Sequence, residues 1–198
     1  MRRQAHFARI VLLTILLSAG AGPVLADQGK VLFDKGHYAE AIAWWKNASK
    51  TAQDHQAEFR LGDYYESGLA EAENLPEAAK WYTRAAEGGH AGAQFALGAF
   101  YEAGAGVDAP SAEKAAFWYG KCAMRNVANC QFNLGRLFSS GEAAKQDLIE
   151  AYKWYYLSAK NGFLEFDAEE LSSLAVRLTS DQKREAVQRA VAFKPISE

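Results

Sequence analysis

After one apolar stretch near the N-terminus, Ile10–Gly22, the 198-residue chain never again approaches the length of a membrane span. Insertion of the body of the protein into a bilayer is therefore not expected. No cysteine follows that stretch in a position for lipoprotein processing, and the Arg2-Arg3 pair lacks the flanking pattern of a twin-arginine signal. The C-terminal KPISE is not a retention signal of the endoplasmic reticulum. Spacing suited to a metal is missing as well: His37, His55 and His90 fall near expected helix ends and turns, far apart in sequence. The Asp and Glu residues are scattered, so no acid/base pair can be picked out. No metal or other cofactor is expected.

What is present begins with a leader. Residues 1–9 are basic, Ile10–Gly22 is apolar but short for a span, and Pro23 precedes a Val24-x-Ala26 site. The pattern predicts a secretory signal peptide over 1–26, cleaved after Ala26; the other reading is an uncleaved N-terminal anchor. Removing Arg2, Arg3 and Arg9 from the 22 basic residues leaves 19 against 24 acidic ones, a formal charge of −5. An acidic chain does not favour nucleic acid. The expected location is outside the cytoplasm, in a bacterial periplasm or, alternatively, secreted. With 49% hydrophobic residues, five Trp, eleven Phe and nine Tyr, the remainder has material for one packed domain rather than a disordered chain.

That material recurs on a schedule. Trp44, Trp81, Trp118 and Trp154 are separated by 37, 37 and 36 residues. Leu61-Gly62, Leu97-Gly98 and Leu134-Gly135 keep the same step, each followed by Tyr65, Tyr101 or Phe138 and then by Gly68, Gly104 or Gly141. A third series is Phe59, Phe95, Phe132 and Phe166. Periods of this size mark solenoids, whose units bury their apolar faces only against their neighbours.

Within a unit the spacing is helical. Ala78, Trp81, Tyr82 and Ala85 fall at i, i+3, i+4 and i+7, as do Ala115, Trp118, Tyr119 and Cys122; Ala151, Trp154, Tyr155 and Ser158 repeat the pattern. The run before Gly68 reads as a first helix that the glycine stops. Each unit is thus expected to be two antiparallel helices. Gly62, Gly98 and Gly135 sit inside first helices, where glycine costs about 1 kcal/mol relative to alanine. Close approach of the neighbouring helix, aided by the small Ala85-Ala86 pair, is the expected benefit.

The pattern L-G-x-x-Y-x-x-G, a loop, then A-x-x-W-Y-x-x-A-A-x-x-G resembles the Sel-1-like repeat, an α/α relative of the tetratricopeptide repeat. Leu61–Gly89 and Leu97–Asn126 match closely, and Leu134–Gly162 recognisably. The stretch DKGHYAEAIAWWKNAS looks like a shorter, tetratricopeptide-like first unit. Only the third unit keeps the family's loop, as Gly104-Ala105-Gly106-Val107, so no loop-borne role is carried over. The resemblance implies an all-α, right-handed superhelical solenoid with a C-terminal helical cap. The expected order is the leader over 1–26, the first unit over 27–59, Sel-1-like repeats over 57–166 and the cap over 167–198. It further implies a non-catalytic scaffold or adaptor, often serving exported or membrane-linked complexes.

Three clusters invite chemistry. Ser180-Asp-Gln-Lys183 matches the S-x-x-K of penicillin-binding proteins and β-lactamases, but the supporting K-T-G and S-D-N motifs are absent. A capping box from Thr179 to Gln182 explains the same residues. Cys122 and Cys130 occupy small-residue places equivalent to Ala85 and Ala93. In an oxidising compartment they read as a disulfide; otherwise they are two buried thiols. Cysteine-rich members of the family carry bridges with seven residues between the cysteines, as here. Finally, the first helices line the inner face of related superhelices. One stripe there holds Phe59, Asp63 and Glu66, then Phe95, Ala99 and Glu102, then Phe132, Arg136 and Ser139, at i, i+4 and i+7. This is either an aromatic ladder for a protein or peptide partner, acidic at one end and basic at Arg136, or filling between helices.

The expected function is an exported, non-catalytic scaffold that binds a protein or peptide in its groove. The alternatives are a cell-wall or β-lactam-handling hydrolase and a permanent structural subunit of an exported assembly.

Overall fold

The computed structural model describes residues 24–69, 73–162 and 164–196, with side chains from residue 28 onward and excepting 164–168. Most of the expected leader, and the Phe166 side chain, lie outside the described residues. Among those residues the chain forms ten α-helices and no strand. They are α1 (Val24–Asp34), α2 (Tyr38–Ala52), α3 (His55–Ser67), α4 (Leu75–Glu87), α5 (Ala91–Ala103), α6 (Ala112–Ala123), α7 (Ala128–Ser140), α8 (Leu148–Lys160), α9 (Leu164–Arg177) and α10 (Ser180–Ala192).

Helix boundaries follow local chemistry. Gly68, Gly104 and Gly141 end α3, α5 and α7 in the left-handed conformation, which costs glycine nothing. The loops that follow differ in sequence but close alike. The N–H groups of Asn74, Ser111 and Asp147 donate to the carbonyls of Tyr65, Tyr101 and Phe138 at 2.8, 2.8 and 3.1 Å. The same three side chains then cap α4, α6 and α8. The aromatic after each L-G therefore fixes where the second helix starts.

Packing is mostly between neighbours: α1 with α2, α3 with α4, α5 with α6, α7 with α8, and each pair with the next, while α8 meets both α9 and α10. Three core clusters each join the second helix of one unit to the first helix of the next. Ala41, Trp45 and Ala48 of α2 meet Ala57, Leu61 and Tyr64 of α3. Ala78, Tyr82 and Ala85 of α4 meet Ala93, Leu97 and Phe100 of α5. Ala115, Tyr119 and Cys122 of α6 meet Cys130, Leu134 and Leu137 of α7. The tryptophans close these junctions from the following helix: Trp81 packs on the first, Trp118 on the second and Trp154 on the third. Equivalent rings thus take equivalent places between successive hairpins, and burying each contributes about 2–3 kcal/mol.

The far end is covered by α9 and α10. Leu174 packs beside Ala151 and Tyr155, and Phe193 meets Trp154 edge to face at 5.5 Å. Beyond α10 the chain turns back, and the Ile196 N–H donates to the Met124 carbonyl at 2.8 Å.

Candidate functional site

The glycines inside the first helices serve a tyrosine rather than the alanine pair. A Cβ on Gly62 would stand 2.4 Å from the Tyr82 ring, and one on Gly98 would stand 2.6 Å from Tyr119; on Gly135 it would lie 3.0 Å from Tyr155. The expected close approach is present, but its agent is the residue after the tryptophan. The first unit repeats the device unannounced by any L-G motif: Gly29 is buried, and its Cβ would stand 2.2 Å from the Trp45 indole nitrogen. Trp44-Trp45 thus takes the role of Trp81-Tyr82.

Each tyrosine reaches past its glycine into the stripe on α3, α5 and α7. The Tyr82 hydroxyl lies 2.9 Å from Asp63 and 2.5 Å from Glu66. The Tyr119 hydroxyl donates to Glu102 at 3.1 Å. Burial first, and then the hydrogen bond it donates to Glu66, hold the Tyr82 phenol far above its ordinary range. Burial and the Glu102 charge do the same to Tyr119. One phenol proton cannot serve two carboxylates. The Asp63 carboxyl is lifted above its usual range, chiefly by burial, against the Tyr82 hydrogen bond and Arg60.

The stripe residues come together as the repeat dictates, with two corrections. Phe59, Phe95 and Phe132 are half-buried, each against the tyrosine of its own unit: Tyr82 at 5.7 Å, Tyr119 at 5.9 Å and Tyr155 at 5.3 Å. Phe59 also stacks on His90 at 4.4 Å. The rings therefore fill space and present an edge at once. The second correction concerns charge. Arg136 is not an open basic end, because its guanidinium is ion-paired with Glu102 of the preceding unit. Among the described residues Glu66 has no cationic partner, whereas Asp63 has Arg60 at 3.6 Å.

Sequence reasoning missed a second series, Glu58, Gln94 and Gln131, at the position after Ala57, Ala93 and Cys130. Gln94 and Gln131 are buried and donate to the Ala86 and Ala123 carbonyls at 3.1 and 3.2 Å. In the first of these places a carboxylate replaces the amide. Glu58 is 3% exposed and is held by Ser49 at 2.9 Å, His55 at 2.9 Å and Arg84 at 2.8 Å. The Arg84 guanidinium lies over the Trp81 ring at 4.9 Å. A cleft of about 460 Å³ opens beside this cluster. Its Ser, His and Glu do not form a hydrolytic relay, since that order requires the serine to donate to the histidine, and here both bind the glutamate.

The remaining features fall into place. Thr179 and Gln182 form the capping box of α10, and the Lys183 ammonium donates to the Ala175 carbonyl at 3.2 Å. The Cys122 and Cys130 sulfurs are at bonding distance, 2.00 Å, with their Cα atoms 5.9 Å apart. Both are fully buried, as are their counterparts Ala85 and Ala93. Among the described residues no group of three or more His, Cys, Asp or Glu stands ready for a metal ion. No described helix is long and apolar enough to cross a membrane.

The Sel1 repeat matches three consecutive segments, 55–90, 91–127 and 128–163, which together are more than half of the chain. The chain belongs to the Sel1 repeat family. Each matched segment coincides with one hairpin, α3–α4, α5–α6 or α7–α8. The fold is similar to that of the Sel1 repeat protein from Oxalobacter formigenes, with 28% identity and a TM-score of 0.68 over 82% of this chain and 67% of that one. It is also similar to c5321, described as a protective antigen of uropathogenic Escherichia coli with an SLR fold, with 26% identity and a TM-score of 0.72. That likeness covers 85% of this chain but only 38% of c5321. No curated protein matches the chain. Sel1 repeat proteins generally mediate protein–protein interaction and are typically non-catalytic scaffolds.

Proposed function

We propose that the protein is an exported adaptor that holds a protein or peptide partner along its layer of first helices. The observation that carries this reading is the regular stripe on α3, α5 and α7. Three half-buried phenyl rings stand at equivalent places, and the small residues Gly92, Ala96 and Ala99 are part-exposed on the middle helix α5. Small residues beside aromatic edges suit an extended or helical ligand, and Glu66, without a cationic partner among the described residues, adds preference for a basic group at that end. In this reading the leader over 1–26 is removed, the first unit over 27–59 and the cap over 167–198 close the two ends, and the Cys122–Cys130 pair is oxidised. The partner belongs to an envelope-associated complex.

The test is crosslinked capture from the native compartment followed by titration of the recovered partner. Because the phenyl rings pack on tyrosines and Glu66 accepts from the Tyr82 hydroxyl, changing either would disturb folding, so the informative variant is Ala99→Arg. Its expected result is partner affinity lowered by roughly tenfold or more with an unchanged melting curve. Undiminished capture would refute the groove.

A further inference from the structure

Helix α6 carries three features that neither the solenoid nor the groove uses. The first is Phe117, 56% exposed at the place where the neighbouring units have Lys80 and Lys153. A single exposed ring is ordinary. The second is Gly120, inside the helix and three residues further on, hence on the same face. Glycine weakens a helix interior relative to alanine, and at Gly62, Gly98 and Gly135 an internal tyrosine accounts for it. At Gly120 an added Cβ would meet nothing within 4 Å, so no contact within the chain asks for glycine there. The third is a pair of lysines flanking the ring. The Lys114 ammonium lies 5.0 Å from the Tyr101 ring and that of Lys121 lies 5.0 Å from the Phe117 ring. Neither has a carboxylate partner among the described residues, and Glu113 alongside is held by Ser111 at 3.1 Å.

We propose that this face of α6 docks an acidic amphipathic helix of a partner protein. Its apolar residue sits against Phe117, and its backbone passes close over Gly120, where no side chain stands in the way. Lys114 and Lys121 are seven residues apart, about 10 Å along the axis, so carboxylates two turns apart on the incoming helix meet both. A protein fits better than an anionic bilayer: one ring and two lysines are a small anchor for a membrane surface, and a side chain removed at Gly120 offers a fluid surface nothing. This site lies on the layer of second helices, and it stands or falls independently of the groove on α3, α5 and α7.

The test uses the purified chain and three probes. They are a fluorescent alanine-based helical peptide bearing Glu, Leu and Glu at i, i+3 and i+7, its counterpart with Lys for Glu, and phosphatidylglycerol vesicles. Saturable binding of the Glu peptide is expected, with amide shift changes confined to α6 and its surroundings, and no binding of the Lys peptide. Phe117→Lys, which installs the residue of the other units, should weaken it by roughly tenfold. Lys114→Glu with Lys121→Glu should reverse the preference between peptides. Gly120→Ala separates docking from structure: it should raise the melting temperature while weakening the peptide. A lowered melting temperature for that variant would give the glycine a structural role and overturn the proposal. Equal binding by Phe117→Lys, binding of vesicles but not of the Glu peptide, or a Phe117-dependent dimer in sedimentation would each overturn it too.

Discussion

Gly62 and Tyr82 share one space: the tyrosine ring lies where the Cβ of any other residue would be, 2.4 Å away. The arrangement explains why a glycine recurs inside helices that would be more stable without it. The ring is not free to move aside, because its hydroxyl is engaged by Asp63 and Glu66. Sequence, packing and the chemistry of the stripe thus meet in one contact that recurs in successive hairpins.

Substituting alanine at these glycines therefore sets two effects against each other. Helix propensity returns about 1 kcal/mol, while forcing a methyl into a packed ring costs about 1–3 kcal/mol or more. Gly62→Ala and Gly98→Ala should lower stability by a net of about 1–2 kcal/mol. Gly135→Ala, whose Cβ would lie at 3.0 Å, should be nearer neutral. Urea unfolding of the three variants checks the ranking, and equal effects at all three sites would contradict it.

Asp63 provides a prediction in pH. Its carboxyl is raised above the ordinary aspartate value of 3.8, chiefly by burial, so between 3.8 and the raised value the folded chain binds a proton that the unfolded chain does not. Folded-state proton uptake makes stability rise as pH falls. The penalty is full above the raised pKa and is relieved as pH drops through it towards 3.8. Against Asp63→Asn, the wild type should gain relative stability on acidification across that window. A melting difference between the two proteins that stays constant with pH would refute this.

Glu58 stands where the other units use glutamine. Glu58→Ala should cost about 2 kcal/mol by leaving Ser49 and Arg84 without their acceptor, a figure kept low because the Arg84 side chain is half-exposed. Glu58→Gln should cost less, since Gln94 and Gln131 occupy the equivalent place. A double-mutant cycle with Arg84→Ala measures the pairing, and a coupling of zero would show that the guanidinium is held by Trp81 and Ser49 without help from Glu58.

Oxidation of Cys122 and Cys130 closes a short loop across the turn between α6 and α7. The unreduced protein should show no free thiol. Reduction should lower stability by about 2–3 kcal/mol through the freedom regained by the unfolded chain. Cys122→Ala with Cys130→Ala should still fold, because Ala85 and Ala93 fill the same places one unit earlier. A count of two thiols would exclude the bridge.

Much of the architecture was legible because helices and turns are decided locally. The step from Trp81 to Trp118 to Trp154, the glycines that end first helices and the capping box at Thr179 all report short-range geometry, and the hairpins follow from them. The Glu58, Gln94 and Gln131 series was legible in principle by the same alignment. It was hidden because one member is an acid and two are amides. The hairpin of the first unit was harder to read, since Gly29 lacks a preceding leucine and its partner is Trp45 instead of a tyrosine.

By itself the sequence determined that hairpins repeat and which face of each helix turns inward, because a period of 3.6 residues fixes a face without reference to any neighbour. Only the tertiary structure decided which groups meet across helices. It put the Tyr82 ring over Gly62 instead of leaving the alanine pair there, joined Arg136 to Glu102 from one unit to the next, and left Phe117 more than half exposed and the Cβ position of Gly120 with nothing of the chain within 4 Å. Those pairings depend on how far one helix is displaced and rotated against the next, which is set by the summed packing of all the side chains between them.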